Sequence, residues 1–321
     1  MYLNTAFGLA AFGRRRDVKQ VNYTSGKLKC VIFIHMNMIE AIRTRYSCRI
    51  FAQRPLEPEI RQKLTYVLQQ AGSGPLGTPM RFKLVAATQD AAAELRGLGT
   101  YGFIRHPAGF IIGAIQTAPR PLEDYGYCME QIILEATRLG LNTCWLGGTF
   151  TQSSFAARIG RADNELIPAV TAVGYAMPDG RARDLIRRQA HADRRLAWER
   201  LFFHETFEHP LLREDAGDLA IALEMVRLAP SASNKQPWRI LKQGKRWHFY
   251  LERTPNYGQG SLLFTILRLA DLQRLDIGIA MCHLELSANE LGLRGTWVDA
   301  DPGLDPPNKH TQYILTWQQS I

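Results

Sequence analysis

Apolar residues recur at Ile60, Leu64, Val67 and Leu68, the spacing of one helical face, and the pattern stops at Gly72. The same spacing returns at Leu219, Ala222, Leu223 and Val226. Pro230 ends that second helix, because proline lacks the backbone donor and clashes with the preceding turn. A strand is expected over Arg239 to Lys242, with residues 243–245 turning it into a hairpin partner at Arg246 to Leu251. A longer stripe, Met129, Ile132, Ile133, Ala136 and Leu139, is repeated as Met281, Leu284, Glu285, Ala288 and Leu291, with only Glu285 breaking it.

The repetition extends beyond that stripe. Ala71 to Arg81 aligns without gaps on Ala229 to Arg239, 158 positions later, and Gly126 to Trp145 aligns on Gly278 to Trp297, 152 positions later. Two unrelated segments shifted by nearly one period describe two copies of a half-domain, far longer than solenoid repeats of roughly 20 to 50 residues. The expected organisation is an N-terminal extension over 1–35, a first half over 36–190 and a second half over 191–321.

Composition adds bounds. The chain has 321 residues, 46% hydrophobic and 21% charged, which places it in the ordinary globular class with room for a sizeable core. Its net charge of +9 raises the question of nucleic acid, but residues 1–35 hold +5 of it, leaving a mildly basic remainder. Nucleic-acid binding is therefore not expected. No apolar run reaches the roughly 20 residues of a membrane span, and the basic cluster Arg14 to Arg16 follows the apolar stretch, the reverse of a secretory signal. A cytoplasmic protein without a membrane partner is expected. Cys30, Cys48, Cys128, Cys144 and Cys282 are odd in number and form no CxxC pair, which argues against a disulfide framework and a zinc site.

Two stretches point to chemistry. Arg45, Ser47 and Arg49 alternate around Tyr46 and Cys48, so on an extended strand they project from one side and can hold an anion by charge-assisted bonds. In the second half, Pro230, Ser231, Ala232, Ser233, Asn234 and Gln236 form a turn whose amides and polar side chains suit a flat polar heterocycle. Cys144 and His283 are expected to be packed structural residues, and Trp238 a core anchor.

RxSxR with a following Phe51, the APSxSNxQPW turn after a helix, and the LeuGlyLeu-x-x-CysTrpLeuGlyGly segment at 139–148 together resemble the nitroreductase superfamily of FMN flavoproteins. Leu98 to Arg105 and Arg274 to His283 resemble more narrowly its single-chain, internally duplicated TM-type branch. The resemblance implies an α+β fold in which the two tandem halves form an intramolecular pseudo-dimer, with helices packed around β-sheets. It also implies FMN at the interface between halves, NAD(P)H as reductant, and ping-pong hydride transfer through flavin N5 to a small acceptor such as a nitroaromatic, quinone or enone.

Carried over by position, the resemblance makes Arg45, Tyr46, Ser47, Arg181 and Arg183 the phosphate side and Arg49 a neighbour of the flavin's pyrimidine edge. It brings Leu146, Gly147 and Gly148 against the ring, and takes the ring-facing turn from Pro230 to Gln236. Each half lacks what the other keeps. Leu76, Thr78 and Met80 stand where the second half has Asn234, Gln236 and Trp238, and Phe203 stands where the first half has Arg45. One composite FMN site per chain is expected, in a monomer, since the fused pair satisfies its own two-fold interface. The alternative is a non-catalytic flavin- or ligand-binding protein derived from the same fold.

Overall fold

The computed structural model describes residues 36–87, 95, 98–100, 102–148, 150–257 and 270–320. The expected extension over 1–35, with Cys30, and parts of the Leu98 to Arg105 segment lie outside the described residues. The first elements are helices α1 (Met38–Thr44) and α2 (Pro58–Gln70) and strands β1 (Met80–Ala86) and β2 (Gly109–Gln116). Helix α3 (Pro121–Arg138), β3 (Asn142–Leu146), α4 (Gln152–Ile159), β4 (Glu165–Leu166) and β5 (Val170–Gly174) follow, then the short α5 (Gly180–Arg183) and α6 (Leu185–Gln189). The chain continues through β6 (Phe202–His204), β7 (Thr206–Pro210), α7 (Ala220–Leu228), β8 (Trp238–Gln243) and β9 (Arg246–Glu252). It closes with α8 (Leu272–Glu290), β10 (Gly295–Val298) and β11 (Thr311–Gln319).

Local chemistry accounts for several of these boundaries. Asn37 and Glu40 form a reciprocal capping box that satisfies two orphan amides at the start of α1. Pro58 opens α2, where its missing N–H costs nothing. Leu64 and Leu68 are buried on that helix, as are Ala222, Leu223 and Val226 on α7. The two helices end at Gln70 and Leu228, positions that the larger of the two sequence shifts superimposes.

The sheets repeat as well. The first runs β1-β2-β5-β3, with β4 beside β2; the second runs β8-β9-β11-β10, with β6 and β7 added outside β8. Position for position the two orders are the same. Phe82 pairs with Gly113 in the first hairpin, and Ile240, the counterpart of Phe82 under that same shift, pairs with Phe249 in the second. The fold is α+β, and one continuous buried cluster includes Ile133 of α3, Leu284 of α8 and Trp238 and Trp317 of the second sheet.

Helices α3 and α8 meet as a two-fold pair. A Cβ placed on Gly126 would overlap the carbonyl oxygen of Leu275, and one placed on Gly278 would overlap the carbonyl oxygen of Glu123. The smaller sequence shift carries Gly126 onto Gly278 and Glu123 onto Leu275, so the contact is isologous within one chain. Only hydrogen fits at either position. Glu285, the break in the apolar stripe, is explained by Trp297, whose Nε1 donates to it at 2.6 Å. Trp145, the counterpart of Trp297, donates likewise to Glu130 at 2.7 Å.

Candidate functional site

The arm Arg45 to Arg49 is extended but is not a strand. Ser47 makes one parallel bridge to Thr143, at the outer side of β3, and Ile50 bridges Arg105. In the second half the position matching Arg45, Phe203, lies in β6 and pairs with Leu241 of β8, toward the opposite side of its sheet. The two halves therefore differ most where their leading segments attach.

Arg45, Tyr46, Ser47 and Arg49 line a cavity of about 200 Å³, and Pro230, Ser231, Ser233 and Asn234 face them across it. Arg181 completes the set expected there. Segments far apart in sequence, one from each expected half, thus share one small space. The remaining candidates lie elsewhere. Arg183 is exposed and Gln236 is buried beneath the turn, while Leu146, Gly147, Gly148 and Ala232 do not line the cavity. Gly147 instead abuts the Leu272 side chain at the start of α8, which would have to shift to admit a Cβ.

The turn is tightly specified. Ser233, Asn234 and Gln236 have φ of 49°, 55° and 49°, the left-handed region that costs non-glycine residues energy and is retained where surroundings enforce it. The enforcing contacts are visible. Ser231 Oγ accepts from the Gln236 amide at 2.9 Å, Gln236 Oε1 accepts from the Leu196 amide at 2.8 Å, and Asp276 Oδ1 accepts from the Ala232 amide at 3.0 Å. Burial pushes the Asp276 carboxyl well above the usual carboxylate range, opposed by that amide. Asn234 Nδ2 donates to the carbonyls of His191 and Arg194, so the turn is stitched to the segment joining the halves.

The other wall is cationic. The Arg45 side chain is only 5% exposed; its Nε lies 3.6 Å from Glu130 and has no hydrogen-bond partner among the described residues. Burial lowers its pKa, and Glu130 opposes that shift. Glu130 itself, fully buried, also lies 3.1 Å from His283 Nε2, while His283 Nδ1 faces the Met225 carbonyl at 2.8 Å. His283 thus ties α8 to α3 and α7. Arg49 pairs with Asp184 at 3.0 Å, and Arg181 pairs with Asp193 at 2.9 Å while its guanidinium lies 5.0 Å from the Tyr46 ring centre. Cys144 is buried and its thiol pKa is raised by that burial, which suits packing.

Two residues at this wall were not singled out from the sequence, Arg187 and Arg195. The visible signal was density: Arg183, Arg187, Arg188 and Arg194 crowd the short stretch from Arg181 to Arg195 between the halves. Arg187 is 7% exposed, pairs with Asp193, and keeps a buried Nε without a partner among the described residues. Arg195 spends its donors on the carbonyls of Leu228, Ala192 and Arg194 and on Asn234 Oδ1.

Two sheets of one strand order, joined through paired central helices, define the class: a nitroreductase-type α+β fold within a single chain. The chain belongs to the family described as "Putative TM nitroreductase", whose model matches residues 37–288. Among solved structures, a "putative nitroreductase" of Thermotoga maritima MSB8 shares 20% identity at a TM-score of 0.55, over 94% of this chain and 98% of that one. A nitroreductase with bound FMN from Desulfitobacterium hafniense DCB-2 shares 21% identity at a TM-score of 0.35, over 44% of this chain and 91% of that one. No curated protein matches the sequence. Among the described residues, no helix is long and apolar enough to cross a membrane, and no cluster of side chains suits a metal ion.

Proposed function

We propose that the protein is an FMN-dependent NAD(P)H oxidoreductase of nitroreductase type, with one composite cofactor site per chain. A single observation carries the reading: buried Arg45, its Nε unpartnered among the described residues, faces across one cavity the strained Ser231 to Asn234 turn of the other half. Glu130, at 3.6 Å, balances the Arg45 charge without a hydrogen bond to Nε, and a phosphate would add the hydrogen-bonding anionic acceptor. Bound FMN would supply the two-electron chemistry, accepting hydride from NAD(P)H and delivering it to a nitroaromatic, quinone or enone in ping-pong order.

The chain's own residues hold and orient. Arg45, Ser47 and Arg181 take the phosphate, and Tyr46 supports Arg181 by a cation–π contact. Ser231 and Asn234 border the space for the heterocycle, the Asn234 amide being held by the joining segment while the Ser231 hydroxyl, which accepts from the Gln236 amide, keeps its own proton to donate. Arg49, held by Asp184, lends a fixed positive charge beside the site. The phosphate end fits the residues present. Room for the ring is short, since the whole cavity, at about 200 Å³, falls below the roughly 300 Å³ at which ligand pockets begin, and Leu146 to Gly148 do not line it. A second reading is a flavin- or ligand-binding protein without turnover, and the small volume favours only a ligand smaller than the flavin ring.

Purified protein separates the two. The enzyme is yellow, holds close to one FMN per chain as a monomer, and is bleached anaerobically by NADH or NADPH. A yellow protein that resists bleaching supports the second reading, and a colourless one that cannot be reconstituted with FMN removes both.

A further inference from the structure

Both ring nitrogens of His283 face acceptors. Nδ1 lies 2.8 Å from the Met225 carbonyl and Nε2 lies 3.1 Å from Glu130 Oε1, and the imidazole and the carboxylate are both fully buried. A carbonyl can only accept, so Nδ1 carries a hydrogen. In a neutral ring of that tautomer the bare Nε2 lone pair would then point at an ionised carboxylate in a dry space, which is costly. One proton between Nε2 and Oε1 removes the conflict. The Met225 end favours it too. That carbonyl belongs to the last turn of α7, and the Ala229 amide that would close onto it bonds instead to Val226 at 3.0 Å, so a positively charged donor suits the helix end.

Two routes tie this pair to the cavity. From Met225, α7 runs straight into the turn that begins at Ala229, and Glu130 stands between His283 and Arg45 on the facing wall. Trp145 Nε1 donates to Glu130 Oε2 at 2.7 Å, so indole and imidazole grip the carboxylate by its two oxygens. It stops 3.6 Å from Arg45 Nε, which it does not bond. Pseudo-symmetry gives an independent indication. The smaller sequence shift carries Glu130 onto Cys282 and His283 onto Gln131, so the pair has no twin. A tie serving only the two-fold crossing of α3 and α8 should recur on its other side; this one sits beside the cavity where arm and turn meet.

We infer that His283 is a positioning residue for this cavity: it holds one proton jointly with Glu130 and, through that carboxylate, fixes where Arg45 stands relative to the turn. Such a buried, mutually satisfied network is rigid, and removing one member displaces the others. His283 thereby joins the flavin site of the proposed function, and that reading is needed only for the ligand that detects the effect.

Two substitutions in the full chain separate the ring's contacts. His283→Asn puts an amide donor near the Nδ1 position and keeps Met225, whereas His283→Gln puts one near the Nε2 position and keeps Glu130. With folding checked by urea titration, His283→Asn weakens FMN about tenfold and His283→Gln stays within about threefold of the wild type. Equal losses, or a larger loss in the glutamine variant, would reduce His283 to packing and helix capping. In an Arg45→Ala background His283→Asn costs no further affinity, and full additivity there would also overturn the inference. A readout free of flavin is the proton itself. Proton NMR of the flavin-free chain shows a slowly exchanging downfield resonance between His283 and Glu130 that is lost in Glu130→Gln and in His283→Asn. FMN binding without that resonance in the wild type would remove the shared proton and leave the flavin reading standing. The resonance in a chain that takes no FMN would do the opposite.

Discussion

The two halves present the same turn in two states. In the first, Asp124 of α3 accepts from the amides of both Leu76 and Thr78, at 2.9 and 2.8 Å, and a Cβ on Gly74 would overlap its carboxylate. In the second, Asp276, the counterpart of Asp124 on α8, accepts from the Ala232 amide alone, and the residues after it adopt left-handed backbone facing a cavity. A closed clasp leaves the first turn's amides spent. The second turn has one amide clasp, strained backbone and an Asn234 side chain bonded to the joining segment, so the same loop position is closed structure in one copy and borders a cavity in the other.

The largest effect should come from what the halves still share. Gly126→Ala and Gly278→Ala each drive a methyl into a backbone carbonyl, and each should cost about 3 kcal/mol or more in urea unfolding. Markedly unequal costs would break the two-fold description. Next, Asp124→Ala strands two amide donors and should cost about 2 to 3 kcal/mol without altering FMN retention. Asp276→Ala should instead loosen the site turn and lower retention, as read by flavin fluorescence after gel filtration. In the same assay Asn234→Ala should weaken binding roughly tenfold, a loss of about 1 to 2 kcal/mol, whereas Leu76→Ala should leave it unchanged.

A smaller contrast is set by pH. Register places His248 opposite Leu241, as Ile112 lies opposite Lys83 in the first hairpin, so only the second sheet carries a titrating group at this position. Burial, with Arg246 nearby, pushes the His248 pKa down to about 4, and its Nδ1 faces Thr316 Oγ1 at 2.7 Å. The unfolded chain protonates first, so stability from this group is present above about pH 6.5 and is lost as pH falls toward 4. His248→Gln should flatten that part of the stability curve in urea titrations at a series of pH values, and an unchanged slope would remove His248 as its source.

Local patterns were legible and path-dependent ones were not. The helix faces of α2 and α7, the β8 and β9 hairpin and the stripe shared by α3 and α8 follow from periodicity, which a short window contains. Arg45, Ser47 and Asn234 stood out by spacing and by comparison between copies. Arg187 and Arg195 had no period and no counterpart, and their importance depends on how the joining segment folds back over the arm. Leu146 to Gly148, with a glycine pair in a motif that suggests a ligand surface, do not line this cavity, and Gly147 lies against Leu272. The Asp124 and Asp276 clasps escaped notice because each joins a helix start to a loop distant in sequence.

The glycine crossing bears on how such a chain can vary. When two identical subunits meet at a symmetry axis, one codon supplies both sides of the contact and any replacement strikes twice. Here Gly126 and Gly278 are separate codons, each facing a carbonyl that an added Cβ would overlap, so one chain carries two independent places where the centre can be ruined. At the periphery the same independence is a liberty, because an altered residue in one copy no longer obliges its twin to follow.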